Sequence, residues 1–148
     1  MNKTVHNMEE PEVINYALLG AIGADEPETI ARLIEKGANV DFRDRSGRTA
    51  LHLAAEKGRP ESIKALITAG ADIHLRNAKG RTALYSAIFG LDSRAVEELI
   101  SAGIDVNARD EKGLTAEEVA RKAMMYALAD DIRKLSRDQE SSTQSKSR

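Results

Sequence analysis

The sequence predicts an all-α solenoid, one domain of about four stacked helix-turn-helix units with projecting β-turn or hairpin tips. Three observations predict it. Gly37-Ala38-Asn39-Val40-Asp41 returns as Gly70-Ala71-Asp72-Ile73-His74 and again as Gly103-Ile104-Asp105-Val106-Asn107, a period of 33 residues. In the same phase, Gly47-Arg48-Thr49-Ala50-Leu51 returns as Gly80-Arg81-Thr82-Ala83-Leu84 and, loosely, as Gly113-Leu114-Thr115-Ala116. Apolar residues keep that register too: Leu33, Leu66 and Leu99 form one ladder, and Ile34, Ile67 and Ile100 another. A period of this length marks small supersecondary units that bury their apolar faces only by stacking. Function is then expected on an extended surface rather than in an enclosed pocket.

The elements follow in chain order. Residues 1–8 are polar and are expected to be a flexible N-terminus, with the repeat domain spanning 9–136 in units of about 9–43, 44–76, 77–109 and 110–136. In the first unit Pro11 and Pro27 suit the first turns of two helices, where a missing N–H costs nothing. Ile14 occupies the turn-glycine position, so no tip is expected there. In the second unit Asp44-Arg45-Ser46-Gly47 has turn chemistry and Thr49 suits a helix N-cap. Leu51, Ala54 and Ala55 make a narrow apolar stripe of small residues, and the helix is expected to stop near Gly58. Pro60 opens the next helix, whose Ile63, Leu66 and Ile67 repeat at helical spacing. Gly70 is expected as a left-handed helix terminator. The third unit places Gly90 one residue early, with Leu91 at the position of Gly58, so a differently shaped loop is expected between its helices.

The last unit reads as a cap. Thr115-Ala116-Glu117-Glu118 puts carboxylates at a helix N-terminus, where the dipole favours them. Glu117 replaces the Leu51 and Leu84 of the inner units, as suits a final unit. Met124, Met125, Ala129, Ile132 and Leu135 are expected to close the core. Residues 137–148 are polar and Ser-rich and are expected to be a disordered tail.

Composition narrows the function classes. The 148 residues are 41% hydrophobic but only 3% aromatic, with no Trp, so aliphatic and small residues must fill the core. A net charge of −2 gives no global attraction to nucleic acid or an anionic membrane. With no cysteine, disulfides, thiol catalysis and Cys-ligated zinc are excluded. Histidines show no metal-ligand spacing, so no metal or other cofactor is expected. Ser46, His52 and Asp44 hold the letters of a catalytic triad, but they lie on one turn and its helix with separate structural roles. No Gly-rich phosphate loop occurs. No apolar run reaches 18 residues and the N-terminus is polar, so a cytoplasmic location is expected.

Thr49-Ala50-Leu51-His52-Leu53-Ala54-Ala55, the helix ends at Gly37, Gly70 and Gly103, and the DxxG turns at Asp44 and Asp110 resemble the ankyrin repeat. The departures are Ala50, Ala83 and Ala116 at the motif proline and Tyr85 at the motif histidine. The resemblance implies a non-enzymatic protein-binding module, with His52 hydrogen-bonding between repeats. It also implies that binding uses the concave side, built from the tips and the exposed ends of the inner helices.

Candidate contacts there are Arg43, Arg45, Arg48, Glu56, Lys57, Arg76, Lys79, Arg81, Phe89, Arg109, Lys112 and Leu114. The tips hold eight basic side chains against Asp44, Asp110 and Glu111. Two readings of this rim stand: it steers an acidic partner surface, or it is the ordinary solvation of turns. Phe89 sits in register with Glu56 and is either an exposed anchor or a cover for the Gly90-Leu91 loop. Tyr85 is read as structural, filling the groove between units and bonding backbone. Leu114, in place of a tip arginine, either ends the rim or adds an apolar contact. The expected molecule is a monomer that binds a protein with an acidic patch and neither nucleic acid nor membrane. An alternative is a dedicated inhibitor or immunity-type protein that blocks one enzyme or toxin.

Overall fold

Neither helix of a unit has an apolar face wide enough to stand alone, and the chain solves this by laying helices in two rows. The computed structural model describes residues 10–146, so the expected flexible segment at 1–8 lies outside the described residues. The helices are α1 (Glu10–Ala24), α2 (Pro27–Glu35), α3 (Ala50–Glu56), α4 (Pro60–Thr68), α5 (Ala83–Phe89), α6 (Ser93–Ser101), α7 (Ala116–Lys122) and α8 (Tyr126–Lys146). The odd-numbered helices form an inner row in which each packs on the next, and the even-numbered ones form an outer row. Each unit is closed by its own inner–outer pair. As the sequence predicts, α1 runs through Ile14 with no tip.

The core is written in the same period. Leu18, Leu51 and Leu84 are buried in the inner row, as are Ala21, Ala54, Ala87 and Ala120, whose methyls let neighbouring helices approach. Ile30, Ile63 and Val96 repeat the pattern in the outer row. Leu66 and Leu99 are fully buried, whereas Leu33, with a neighbour on one side, is partly exposed.

The tips are turns; no strand occurs among the described residues. Asp44 accepts from the amides of Ser46 and Arg48 at 2.8 and 2.9 Å, Asn77 from Lys79 and Arg81 at 2.9 and 3.2 Å, and Asp110 from Lys112 and Leu114 at 3.0 Å each. Successive tips are also joined through backbone. The amide of Ala78 donates to Ser46, and that of Glu111 to Lys79, both at 3.2 Å.

Each inner helix then holds the next tip. His52 Nδ1 accepts from the Thr49 amide at 3.2 Å, which fixes the proton on Nε2, and Nε2 donates to the Arg81 carbonyl at 2.9 Å. One unit later the Tyr85 hydroxyl makes the equivalent bond to the Leu114 carbonyl at 2.6 Å, with the Ala108 carbonyl at 2.7 Å. Burial, followed by the nearby Asp110 carboxylate, pushes the Tyr85 phenol up to about 12, so it stays a donor. The exchange has a local cost: with no imidazole to complete the cap, the buried Thr82 hydroxyl is left without a partner. Thr49 and Thr115 both sit in complete capping boxes.

Three expectations are corrected here. The Gly90-Leu91 loop keeps the shape of its neighbours: Asp25, Gly58, Leu91 and Met124, one period apart, have φ of 55, 62, 56 and 62°. Gly90 itself has an ordinary φ of −74° and is required for space. A Cβ there would lie 2.6 Å from the Ala55 and Glu56 carbonyl oxygens. Leu91 must therefore adopt the left-handed backbone, at a cost of about 1–3 kcal/mol.

Met124 does not close the core; it takes the same left-handed position and is exposed, while Met125, Leu128, Ala129, Ile132 and Leu135 pack inward. Residues 137–146 are helical rather than disordered, because no Gly or Pro interrupts them and α8 continues to Lys146. Gln139 ties this extension down by donating to the Ile100 carbonyl at 3.0 Å. Residues 147–148 lie outside the described residues. Glu117 faces α8, where it accepts from Arg121 at 3.0 Å and from Arg133.

Leu66→Ala is expected to destabilise the fold by about 2–5 kcal/mol in urea titration, and Leu33→Ala by less. Gly90→Ala should cost about 1–3 kcal/mol by the same measurement, through displacement of the α3 C-terminus. Burial holds the His52 imidazole below its ordinary 6.5, outweighing the Arg81 carbonyl that favours the charged form. The unfolded chain therefore binds this proton more readily than the native one, so stability is complete above pH 6.5 and falls as pH drops below it. In His52→Tyr, which reproduces the Tyr85 bond, the melting temperature should lose this dependence on pH just below 6.5.

Candidate functional site

One side of the stack gathers tip residues and the ends of α3 and α5 around a groove. Its arginines fall into two groups. Arg43, Arg76 and Arg109, one period apart, run along the tips as a ladder. Arg43 donates to the Arg76 carbonyl at 2.6 Å, and Arg76 to the Arg109 and Gly80 carbonyls. Arg109 donates to the Gly113 carbonyl at 2.7 Å and pairs with Glu118 at 3.6 Å. These three join units together.

Arg48 and Arg81 line this groove and are held by carboxylates. Arg48 Nε meets Asp44 at 2.9 Å and its Nη1 meets Glu56 at 3.2 Å. Arg81 has no aspartate in its own turn, because Asn77 takes that place, and its Nε reaches Asp110 of the next tip at 3.2 Å. Burial raises both carboxyl pKa values, but the backbone amides and the arginines outweigh it and hold Asp44 and Asp110 below the ordinary 3.8. The Arg81 guanidinium also lies 5.4 Å from the Phe89 ring centroid and 5.8 Å from that of Tyr85, within cation–π range of both. Among the described residues, Arg45, Lys57, Lys79 and Lys112 are exposed with no side-chain partner.

A groove of about 470 Å³ runs between the second and third units. Ser46, Arg48 and Glu56 form one wall and Asn77, Lys79, Arg81, Tyr85 and Phe89 much of the other. A hollow of about 440 Å³ continues it towards the first unit, sharing Ser46 and Arg48 and adding Arg45 and Tyr16. Phe89 is half exposed at the groove edge. Leu114 packs against the core and lines neither space, so the apolar contact expected of it is turned inward.

Tyr16 is the residue that sequence reasoning passed over. It stands edge-on to Phe42, with centroids 5.2 Å apart, and brings an aromatic to the hollow beside the groove. Its signal was an aromatic in register with the capping Thr49 and Thr82. Among the described residues no group of three or more His, Cys, Asp or Glu could hold a metal ion. No helix among them is long and apolar enough to cross a membrane.

A search of curated proteins returned no match. The sequence model of ankyrin repeats matches three copies over residues 18–110, well over half of the chain. Ankyrin repeats are generally protein–protein interaction modules and typically non-enzymatic. The helices α2 to α6 and the tip that His52 clamps lie within the matched region, the 33-residue register continues beyond it, and the chain belongs to the ankyrin-repeat family.

Proposed function

We propose that the concave face docks one folded protein through an acidic patch on that protein's surface, with the chain acting as a cytoplasmic monomer independently of nucleic acid and membrane. One observation carries this reading. The groove sets the half-exposed Phe89 on a fixed Arg81 and places Lys79 and Arg45, which lack side-chain partners, beside it. An apolar anchor with charges around it suits docking in which the aromatic supplies contact energy and the cations speed encounter. The surface is also stiff, since its tips are held by side chains and by one another, so little ordering entropy is lost on binding.

The remaining rim divides by its bonds. Arg43, Arg76 and Arg109 serve the stack, Arg48 and Arg81 serve both stack and groove, and Arg45, Lys79 and Lys112 are left for a partner, whereas Lys57, at the C-terminal cap of α3, does not line the groove. Tyr16 and Phe89 bound one continuous face across three units, which suits a single partner at a time. That favours the narrower form of the reading, an inhibitor of one enzyme or toxin, over an adaptor joining several clients.

After affinity purification identifies the partner, Arg45→Glu/Lys79→Glu/Lys112→Glu is expected to slow association about tenfold or more at low ionic strength and to flatten its salt dependence. Its melting temperature should stay near that of the wild type, because none of the three side chains holds a tip. Phe89→Ala should instead accelerate dissociation, measured by surface plasmon resonance. Wild-type association by the triple variant would sink the assignment of this face.

A further inference from the structure

The concave groove leaves a second exposed feature unused. At the edge where inner helices turn into outer ones, Leu91 is 70% exposed, Met124 74% and Tyr126 54%. Leu91 and Met124 hold left-handed backbone at φ 56 and 62°, a conformation their side chains disfavour. The equivalent residues of the first two units, Asp25 and Gly58, meet the same backbone demand without exposing an apolar side chain. Folding is therefore better served by other residues at both positions.

The loops that carry these residues touch. A Cβ on Gly58 would meet Asp92 of the next loop at 3.1 Å; carried one 33-residue period on, the same relation sets Leu91 against position 125, the residue after Met124. The result is an apolar strip along the third and fourth units. Its borders are cationic: Lys57 and Lys122 are exposed and, among the described residues, have no side-chain partner. The neighbouring acids are already taken, Glu56 by Arg48, Asp92 by Arg94 and Asp130 by Arg121.

We propose that this strip is a second docking surface, separate from the concave groove, and that it receives an amphipathic helix of a protein partner whose polar flanks are acidic. The spacing fits a helix. Packed helices lie about 8–10 Å apart, so Leu91 and Met124 are separated by roughly the ~10 Å that seven residues advance along a helix. Apolar residues at i, i+3 or i+4, and i+7 then reach both, in the manner of helix-in-groove recognition. Met124 adds a deformable contact, and Lys57 and Lys122 lie where glutamates flanking the apolar stripe would pair. Two lysines on a chain of net charge −2 give an anionic membrane little attraction by comparison.

The test titrates the full-length, ¹⁵N-labelled protein with a synthetic helix-forming peptide carrying Leu at i, i+3 and i+7 and Glu on both flanks, beside the same peptide with Gln for Glu. Saturable amide shifts centred on Leu91, Met124 and Tyr126 are expected, with the Gln peptide several-fold weaker. Leu91→Gly/Met124→Gly should weaken binding about tenfold or more while raising the melting temperature by about 2–8 °C, since relief of strain outweighs the loss of exposed side chains. A structural role would lower it. Arg45→Glu/Lys79→Glu/Lys112→Glu should leave these shifts intact, which keeps this result distinct from that for the concave face. The proposal is overturned by absence of saturable binding, by shifts centred on the groove, by equal binding of the Gln peptide, or by a lower melting temperature in the glycine variant. Dimerisation in sedimentation that the glycine variant abolishes would assign the strip to a second copy. Wild-type binding to phosphatidylglycerol vesicles, lost in that variant, would assign it to a membrane; either result overturns the helix.

Discussion

The bond from each inner helix to the next tip is the interaction on which the rest of the surface depends. His52 reaches the Arg81 carbonyl and Tyr85 the Leu114 carbonyl, each from a buried position and across 29 residues of sequence. Apolar stacking alone would hold the helices together but leave the tips free to swing. With the clamp, the tip of one unit is positioned by the helix of the unit before it. Every side chain on that tip inherits this order, including the arginines that line the groove.

Two different side chains make the clamp, and they differ in what they risk. An imidazole satisfies the Thr49 cap as well as the distant carbonyl, but the arrangement needs a neutral ring and so depends on pH. A phenol pushed up to about 12 stays protonated through the range in which the imidazole titrates, at the expense of an unpartnered Thr82 hydroxyl. The third unit thus exchanges a local hydrogen bond for insensitivity to protons. It is also the unit that carries Phe89 and the Arg81 that clasps it.

The period, both rows of helices, the aliphatic ladders and the missing first tip were legible in the sequence, because each depends on residue type at a fixed register. Side-chain direction was not. Arg43, Arg48 and Arg76 read alike as tip cations, yet carbonyl-bound Arg43 and Arg76 knit the stack while Arg48 crosses to Glu56. Nothing in composition separates them, since the difference lies in which acceptor stands in reach after folding. The same holds at Asn77. Replacing the Asp of neighbouring units by an amide keeps the turn but removes a charge, and Arg81 is thereby sent to Asp110. The helical 137–146 segment was missed because Ser-rich composition weighed more than the lack of any breaker and the tie at Gln139.

The loop at Gly90 and Leu91 shows how one close contact propagates. Backbone of the α3 C-terminus comes so near position 90 that only glycine fits, and the turn that follows still requires a left-handed residue at 91. A second glycine would have met that need, as Gly58 does, and Asp25 shows that a polar residue also tolerates it. Close packing explains the glycine but not the leucine. The fourth unit makes the same choice with Met124, where Ala123 rather than a glycine precedes it. Two departures of one kind at equivalent positions, both apolar, exposed and strained, share no cause in the core. They lie on a single edge of the molecule, and the explanation that covers both must lie outside the fold, in what that edge touches.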